Sequence, residues 1–220
     1  MPPVGSSDTV MEAWFQDVVA NENGGGFNLK AFVKKMRDKS ILPKDNITDV
    51  DRGVFQSDTG EIVLDSQNNS IKVSTKKSQL AVLKKSENVD LGNLKILSTT
   101  ASAAIGITSL DGKPIGESSR LVLVYATQEA NSGMATSFDF EHALTFGKAP
   151  IILKNGVLKA EIKLDSAKRF AVYPLALNGQ RRPPMPMKFE DGTMSVDIDN
   201  SKLPYGATTM FEIVAENGNN

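Results

Sequence analysis

The chain has 220 residues, 40% hydrophobic and 23% charged, a formal net charge of -1 and no cysteine. That length buries one good core, or a core with a small appendage. Near-neutral charge argues against a nucleic-acid interface, which needs a basic face. The missing cysteines exclude disulfides, thiolate zinc sites and a cysteine nucleophile. No apolar run is long enough to cross a bilayer as a helix, so neither nucleic acid nor membrane is expected as a partner. The opening MPPVGSSDTV has neither the basic nor the apolar segment of a secretory signal, which fits a piece of a longer chain.

After a polar lead-in, Asp8 or Thr9 caps a predicted helix over residues 10–20, with Val10, Trp14 and Val18 on one apolar stripe beside Met11 and Phe15. Asn23-Gly24-Gly25-Gly26 ends it. Asn28 then caps a second helix over 29–39, whose basic far end suits the helix dipole, and Pro43 stops any continuation. Residues 1–49 are therefore read as a helical segment or connector, and 50–220 as a β domain.

The β pattern begins with short β-branched runs at 61–64 and 70–75. The second alternates Ile71, Val73 and Thr75 against Ser70, Lys72 and Ser74, and Asp65 to Asn69 form a polar turn between the two runs. Further strands are expected at 79–83, 94–98, 101–110 and 120–127, the last central because it is the most apolar. A polar loop, 128–134, follows, and then an extended excursion, 135–149, punctuated by Phe138, Phe140 and Phe146. The remaining strands fall at 151–154, 157–164, 169–177, 187–190, 193–198 and 209–214. Asn155-Gly156, Asn178-Gly179 and Asp191-Gly192 are expected to supply the positive backbone angles of tight hairpins. About a dozen short strands at this spacing describe a mostly β fold: a two-sheet antiparallel β-sandwich, jelly-roll or Ig-like, preceded by a short helical segment.

Reactive constellations are sparse. Asp58-Thr59-Gly60 is the aspartic-protease tripeptide, but it occurs once, where two carboxylates must share a proton; a turn in which Asp58 and Thr59 bond nearby backbone is favoured. His142 is the only histidine, and no Gly-x-Ser-x-Gly elbow accompanies it. Asp197-Ile198-Asp199-Asn200 lacks the glycine and terminal glutamate of the calcium loop, so a polar turn is expected. Carboxylates are plentiful, but sequence places no facing pair of the kind a glycosidase needs. No cofactor, metal or catalytic residue is assigned. Arg181-Arg182-Pro183-Pro184-Met185-Pro186 has two readings: a clamp for a carboxylate or hydroxyl pair, or, favoured, an edge where proline and charge block strand pairing.

Three segments in order carry a resemblance: Ser57-Asp58-Thr59-Gly60-Glu61-Ile62 with Asp65 and the strand through Thr75 to Gln79; Ser109-Leu110-Asp111-Gly112-Lys113-Pro114-Ile115 leading into Arg120-Leu121-Val122-Leu123; and Ala126-Thr127-Gln128-Glu129-Ala130-Asn131-Ser132-Gly133-Met134. Together with Gly147-Lys148-Ala149-Pro150 and Ala171-Val172-Tyr173-Pro174-Leu175, they resemble the C-terminal β-sandwich accessory domain that follows the TIM barrel in bacterial glycoside-hydrolase-like proteins, over about residues 50–215. The resemblance implies a non-catalytic module of a carbohydrate-active protein. It would lie outside the cytoplasm, extracellular or periplasmic, as part of a larger protein, with a catalytic barrel domain and a polysaccharide or oligosaccharide as partners. The catalytic carboxylates would then belong to the barrel. A sugar site is expected at Gln128, Glu129, Asn131 and Arg181, with Tyr173 or Trp14 as a stacking surface. A structural or protein-interaction module without sugar binding, and a free-standing glycosidase, remain open.

Overall fold

The computed structural model describes residues 28–139 and 141–216. The helix expected at 10–20, with Trp14, and Phe140 lie outside the described residues. The chain divides into two compact units, residues 1–67 and 68–220, so the division falls past the expected 49/50 boundary, after a first β-hairpin.

In the first unit, α1 (Leu29–Asp38) starts where expected, with the Asn28 side chain accepting from the Ala31 amide at 3.0 Å. Phe32, Val33 and Met36 are half-buried along one face. Strands β1 (Val54–Gln56) and β2 (Ile62–Asp65) pair antiparallel. Between them, Asp58 accepts from the Thr59 amide and the Thr59 hydroxyl pairs with Ser57, the local turn that was expected. Asn46, 5% exposed, knots the unit: its amide donates to the Ser57 and Gln56 carbonyls and its oxygen accepts from Thr48.

The second unit is the sandwich. One sheet runs in the order β3 (Ser70–Ser74), β4 (Ser78–Leu83), β7 (Ala103–Ser109), β8 (Arg120–Ala126), β17 (Met210–Glu216), β14 (Arg169–Pro174). The other is five-stranded: β15 (Lys188–Glu190), β16 (Thr193–Asp199), β13 (Val157–Lys163), β6 (Leu94–Thr99), β5 (Val89–Asp90). All recorded pairings in the unit are antiparallel. Period-2 alternation turns Ala81, Ile105, Ile107, Leu121, Leu123, Tyr125, Phe211 and Ile213 of the first sheet onto Leu94, Ile96, Leu158, Ile162, Met194 and Val196 of the second, in one buried cluster. Each buried Val, Leu, Ile, Phe or Met among them stabilises the fold by about 1.5–3 kcal/mol relative to exposure. Gln79 reaches across this core, accepting from the Leu94 amide at 2.7 Å. As expected, β8 is central and buried on its inner face. Among the described residues no helix is long and apolar enough to cross a membrane.

Two local expectations are corrected. Residues 128–134 are not a loop: β9 (Glu129–Ser132) pairs with β12 (Lys148–Leu153), and β10 (Ala135–Thr136) with β11 (Ala143–Thr145). Together they make a two-stranded arm. It lacks the apolar alternation that marks a half-buried strand, so its backbone pairing is silent in the sequence. Second, Gly179 and Asp191-Gly192 do adopt positive φ, but Asn155-Gly156 does not. Gly156 is there for space: a Cβ would sit 2.3 Å from the hydroxyl of Tyr125, whose ring is fully buried. Gly156→Ala is therefore expected to destabilise the sandwich by about 1–3 kcal/mol through overpacking, read as a lower urea midpoint with unchanged slope; an unaltered midpoint would show that the Tyr125 ring has room to yield.

Candidate functional site

Two places on the sandwich collect the residues that sequence singled out. The first is the outward face of the β8-β17-β14 part of its sheet. Glu212 stands directly across from Val122 on one side and Tyr173 on the other. Inner neighbours Phe211 and Ile213 are in the core, so Glu212 points outward, yet it is only 4% exposed. Two guanidinium groups cover it. Arg120 donates through Nε to one carboxylate oxygen and Arg181 through Nε to the other, each at 2.6 Å. The Arg181 guanidinium also lies 4.9 Å from the centre of the Tyr173 ring, within cation–π range.

A carboxylate this poorly solvated needs such partners to remain charged. The Arg181 bond holds its pKa below the usual carboxylate range; burial opposes the shift, and Arg120 reinforces it. Arg181 is pushed up in turn, chiefly by its bond to Glu212. The segment bearing Arg181 closes the free side of β14 through bridges Leu175 to Arg181 and Val172 to Met185. The two readings of the Arg181–Pro186 stretch thus hold together: it is an edge cap, and Arg181 clamps a carboxylate, one from the chain itself.

The second place is the root of the arm. Glu129, Ile151, Leu153, Leu177, Arg182, Ala207, Thr208 and Thr209 line a shallow groove of about 100 Å³. Arg182 is anchored there by the Gly206 carbonyl at 2.5 Å. Glu129 and Arg182 thus share the lining of this groove. Gln128 is exposed, and its carbonyl accepts from the Lys154 amide. Asn131 spends its amide on the Phe146 carbonyl at 2.9 Å, pinning the arm. Beyond this root the arm is apolar and unpacked: Phe138 is fully exposed, Leu144 71% and Phe146 75% exposed, with Met134, Ile151 and Ile152 also open.

The expected sugar residues therefore separate. Arg181 and Tyr173 share the outer sheet face, while Gln128, Glu129 and Asn131 lie at the arm root. Tyr173 is half-buried and one face of its ring is taken by Arg181. Glu212 and Arg120 were missed. The available signal was a lone glutamate inside the apolar run Met210-Phe211-Glu212-Ile213-Val214, since a charge in such a strand demands a partner. Elsewhere, His142 is exposed on the arm. Asp199 is bound by Ser201 and Lys202, which hold its pKa down at about 2; Asn200 is buried and ties Gly156 to Lys154. The Asp197–Asn200 stretch is thus a strand end with a polar turn. Partial desolvation would raise the pKa of the exposed Asp111, yet bonds from Ser119, Ser118, Ser109 and Lys113 outweigh it and hold the carboxyl well below the usual carboxylate range, which ties down the turn before β8.

Comparison with family models, with curated proteins and with solved structures finds no match to this chain.

Glu212→Gln is expected to cost about 1.5–3 kcal/mol of stability at pH 7, the range for losing hydrogen bonds to a charged group. Its folded pKa lies below the unfolded value, so its contribution is full above the unfolded pKa and fades as pH falls through the folded one. Denaturant titrations of both proteins should show the gap near its maximum above about pH 5 and shrinking below about pH 4. A gap constant from pH 7 to pH 3 would rule out the ion-pair account.

Proposed function

We propose that this chain is a non-catalytic β-sandwich module of a carbohydrate-active protein, that it packs on that protein's catalytic domain, and that it contacts polysaccharide. The observation that carries the reading is the arm over residues 129–153. Its apolar side chains, Phe138, Leu144 and Phe146 above all, are largely open to solvent among the described residues. Exposed apolar surface of this kind marks a contact site for another protein. The resemblance points to a catalytic barrel as that partner, and with it to an extracellular or periplasmic setting.

The electrostatics favour a non-catalytic role. The acid of a glycosidase needs a raised pKa, obtained from an apolar site or a neighbouring carboxylate. Glu212, the buried carboxylate among the described residues, is held ionised by two arginines instead. The arm equally serves a protein-interaction module that binds its own kind, and the same experiment separates the two.

The triple change Phe138→Ser, Leu144→Ser, Phe146→Ser should leave the melting temperature close to that of the parent, because it removes little buried area. It should weaken binding to a barrel domain encoded in the same reading frame or beside it by at least about ten-fold, equal to 1.4 kcal/mol. Sedimentation of the parent should show a monomer. Arm-dependent self-association without affinity for a barrel would replace this reading by the interaction module, and a gene with no barrel in or beside it would remove its basis.

A further inference from the structure

The outward face that holds Glu212 continues into a groove that the ion cluster does not use. Register places Ser78, Thr108, Val122, Glu212 and Tyr173 in one row across β4, β7, β8, β17 and β14. Leu80, Gly106, Val124 and Met210 form the next row. Gly106 has no side chain to raise the floor, and a Cβ there would come within 3.1 Å of Leu80. The result is a groove of about 160 Å³ with Leu80, Val122 and Val124 as its apolar lining and Ser78 and Thr108 at one side. Those two hydroxyls bond each other at 2.6 Å.

Val122, part of that lining, stands directly opposite Glu212. The groove therefore abuts the cluster in which two cations share one carboxylate. Arg120 and Arg181 each spend Nε on Glu212, and among the described residues neither makes a further hydrogen bond through its Nη atoms. One positive charge is left over, presented by planar groups whose forks suit a carboxylate. Thr108 and Glu212 are two strands apart, about 10 Å. A ligand matching the face has a carboxylate at one end, hydroxyls at the other and an apolar C–H surface between.

We propose that this groove binds an acidic sugar, a uronate unit of a polysaccharide, with its carboxylate on Arg120 and Arg181, its hydroxyls on Ser78 and Thr108 and its C–H face over Val122 and Val124. The choice of a sugar as bearer of the carboxylate rests on the carbohydrate reading above; the groove and the spare charge do not. A neutral sugar leaves the two guanidinium groups unmatched, and a small anion leaves the apolar lining uncovered.

Calorimetric titration of the intact chain tests this with galacturonate and glucuronate di- and trisaccharides, neutral oligosaccharides of the same length, sodium acetate and inorganic phosphate, all at one ionic strength. The acidic saccharides should bind at least about ten-fold more tightly than the neutral ones and than either small anion. Arg120→Gln and, separately, Val122→Trp, which fills the groove, should each weaken that binding about ten-fold or more. Arg120→Lys, which keeps the charge but not the fork, should weaken it less. Each variant's melting curve guards against unfolding. Added salt should weaken the acidic ligands selectively. Equal affinity for acidic and neutral sugars, acetate or phosphate binding as well as the saccharides, no binding across the panel, or indifference to Val122→Trp in a folded variant would each overturn the proposal. None of these titrations involves a partner domain, so their failure leaves docking through the arm standing.

Discussion

The alternation of β8 and β17 is the constraint from which the rest of the sandwich follows. Leu121, Leu123 and Tyr125 on one strand and Phe211 and Ile213 on the other are fully buried on the inner face. A slip of one residue would move all of them into solvent, so the register is strongly specified. Once it is set, Arg120, Val122 and Val124 and the intervening Met210, Glu212 and Val214 have no choice but the outer face. The core thus decides where the charged cluster and the groove beside it can lie.

Glu212 then joins parts of the chain that the core alone would leave loosely related. Its two arginines are 92 and 31 residues away in sequence. One arrives on the neighbouring strand and the other on the proline-bearing segment along β14. Replacing such a cluster by apolar residues can be neutral, whereas removing one member strands a desolvated charge. Its value lies in specificity: with Glu212 buried, the Arg181 segment has one favourable seat, and that seat covers the exposed side of β14. Tyr173 supports the same arrangement from below the guanidinium. The outer face acquires both a fixed edge and a fixed charge pattern from a single carboxylate.

Most of the sandwich was legible because its strands carry the information locally. Alternating apolar residues mark β4, β6, β8, β13 and β16, each buried on one face and more exposed on the other, and Asn28 announces α1 by its capping chemistry. What could not be read depends on partners distant in sequence. Glu129-Ala130-Asn131-Ser132 looks like a polar loop because its order comes from backbone pairing with β12, not from burial. Gly156 looks like a turn glycine until Tyr125 is seen against it. Asn46 carries no local mark of the three hydrogen bonds its side chain makes. For the site, composition pointed to Arg181 and Tyr173 separately, and only the fold brings them to Glu212 and Arg120.

The arm poses a different physical question, namely why it is ordered at all. A two-stranded ribbon is marginal in water without a face to pack on. Here the root supplies the order: Asn131 holds the Phe146 carbonyl, and Gly147, at φ +64°, lets the chain pass so close to Ser132 and Met134 that a Cβ would meet them at 2.5 and 2.6 Å. These devices aim the ribbon without burying its apolar residues. Phe138, Leu144 and Phe146 therefore lie beyond the part of the arm that the sandwich stabilises, on a segment whose direction the sandwich controls. Among the described residues these three side chains find little to pack on, and that exposure is what the proposed docking through the arm rests on; a pinned root would leave little conformational entropy to be lost in such a contact.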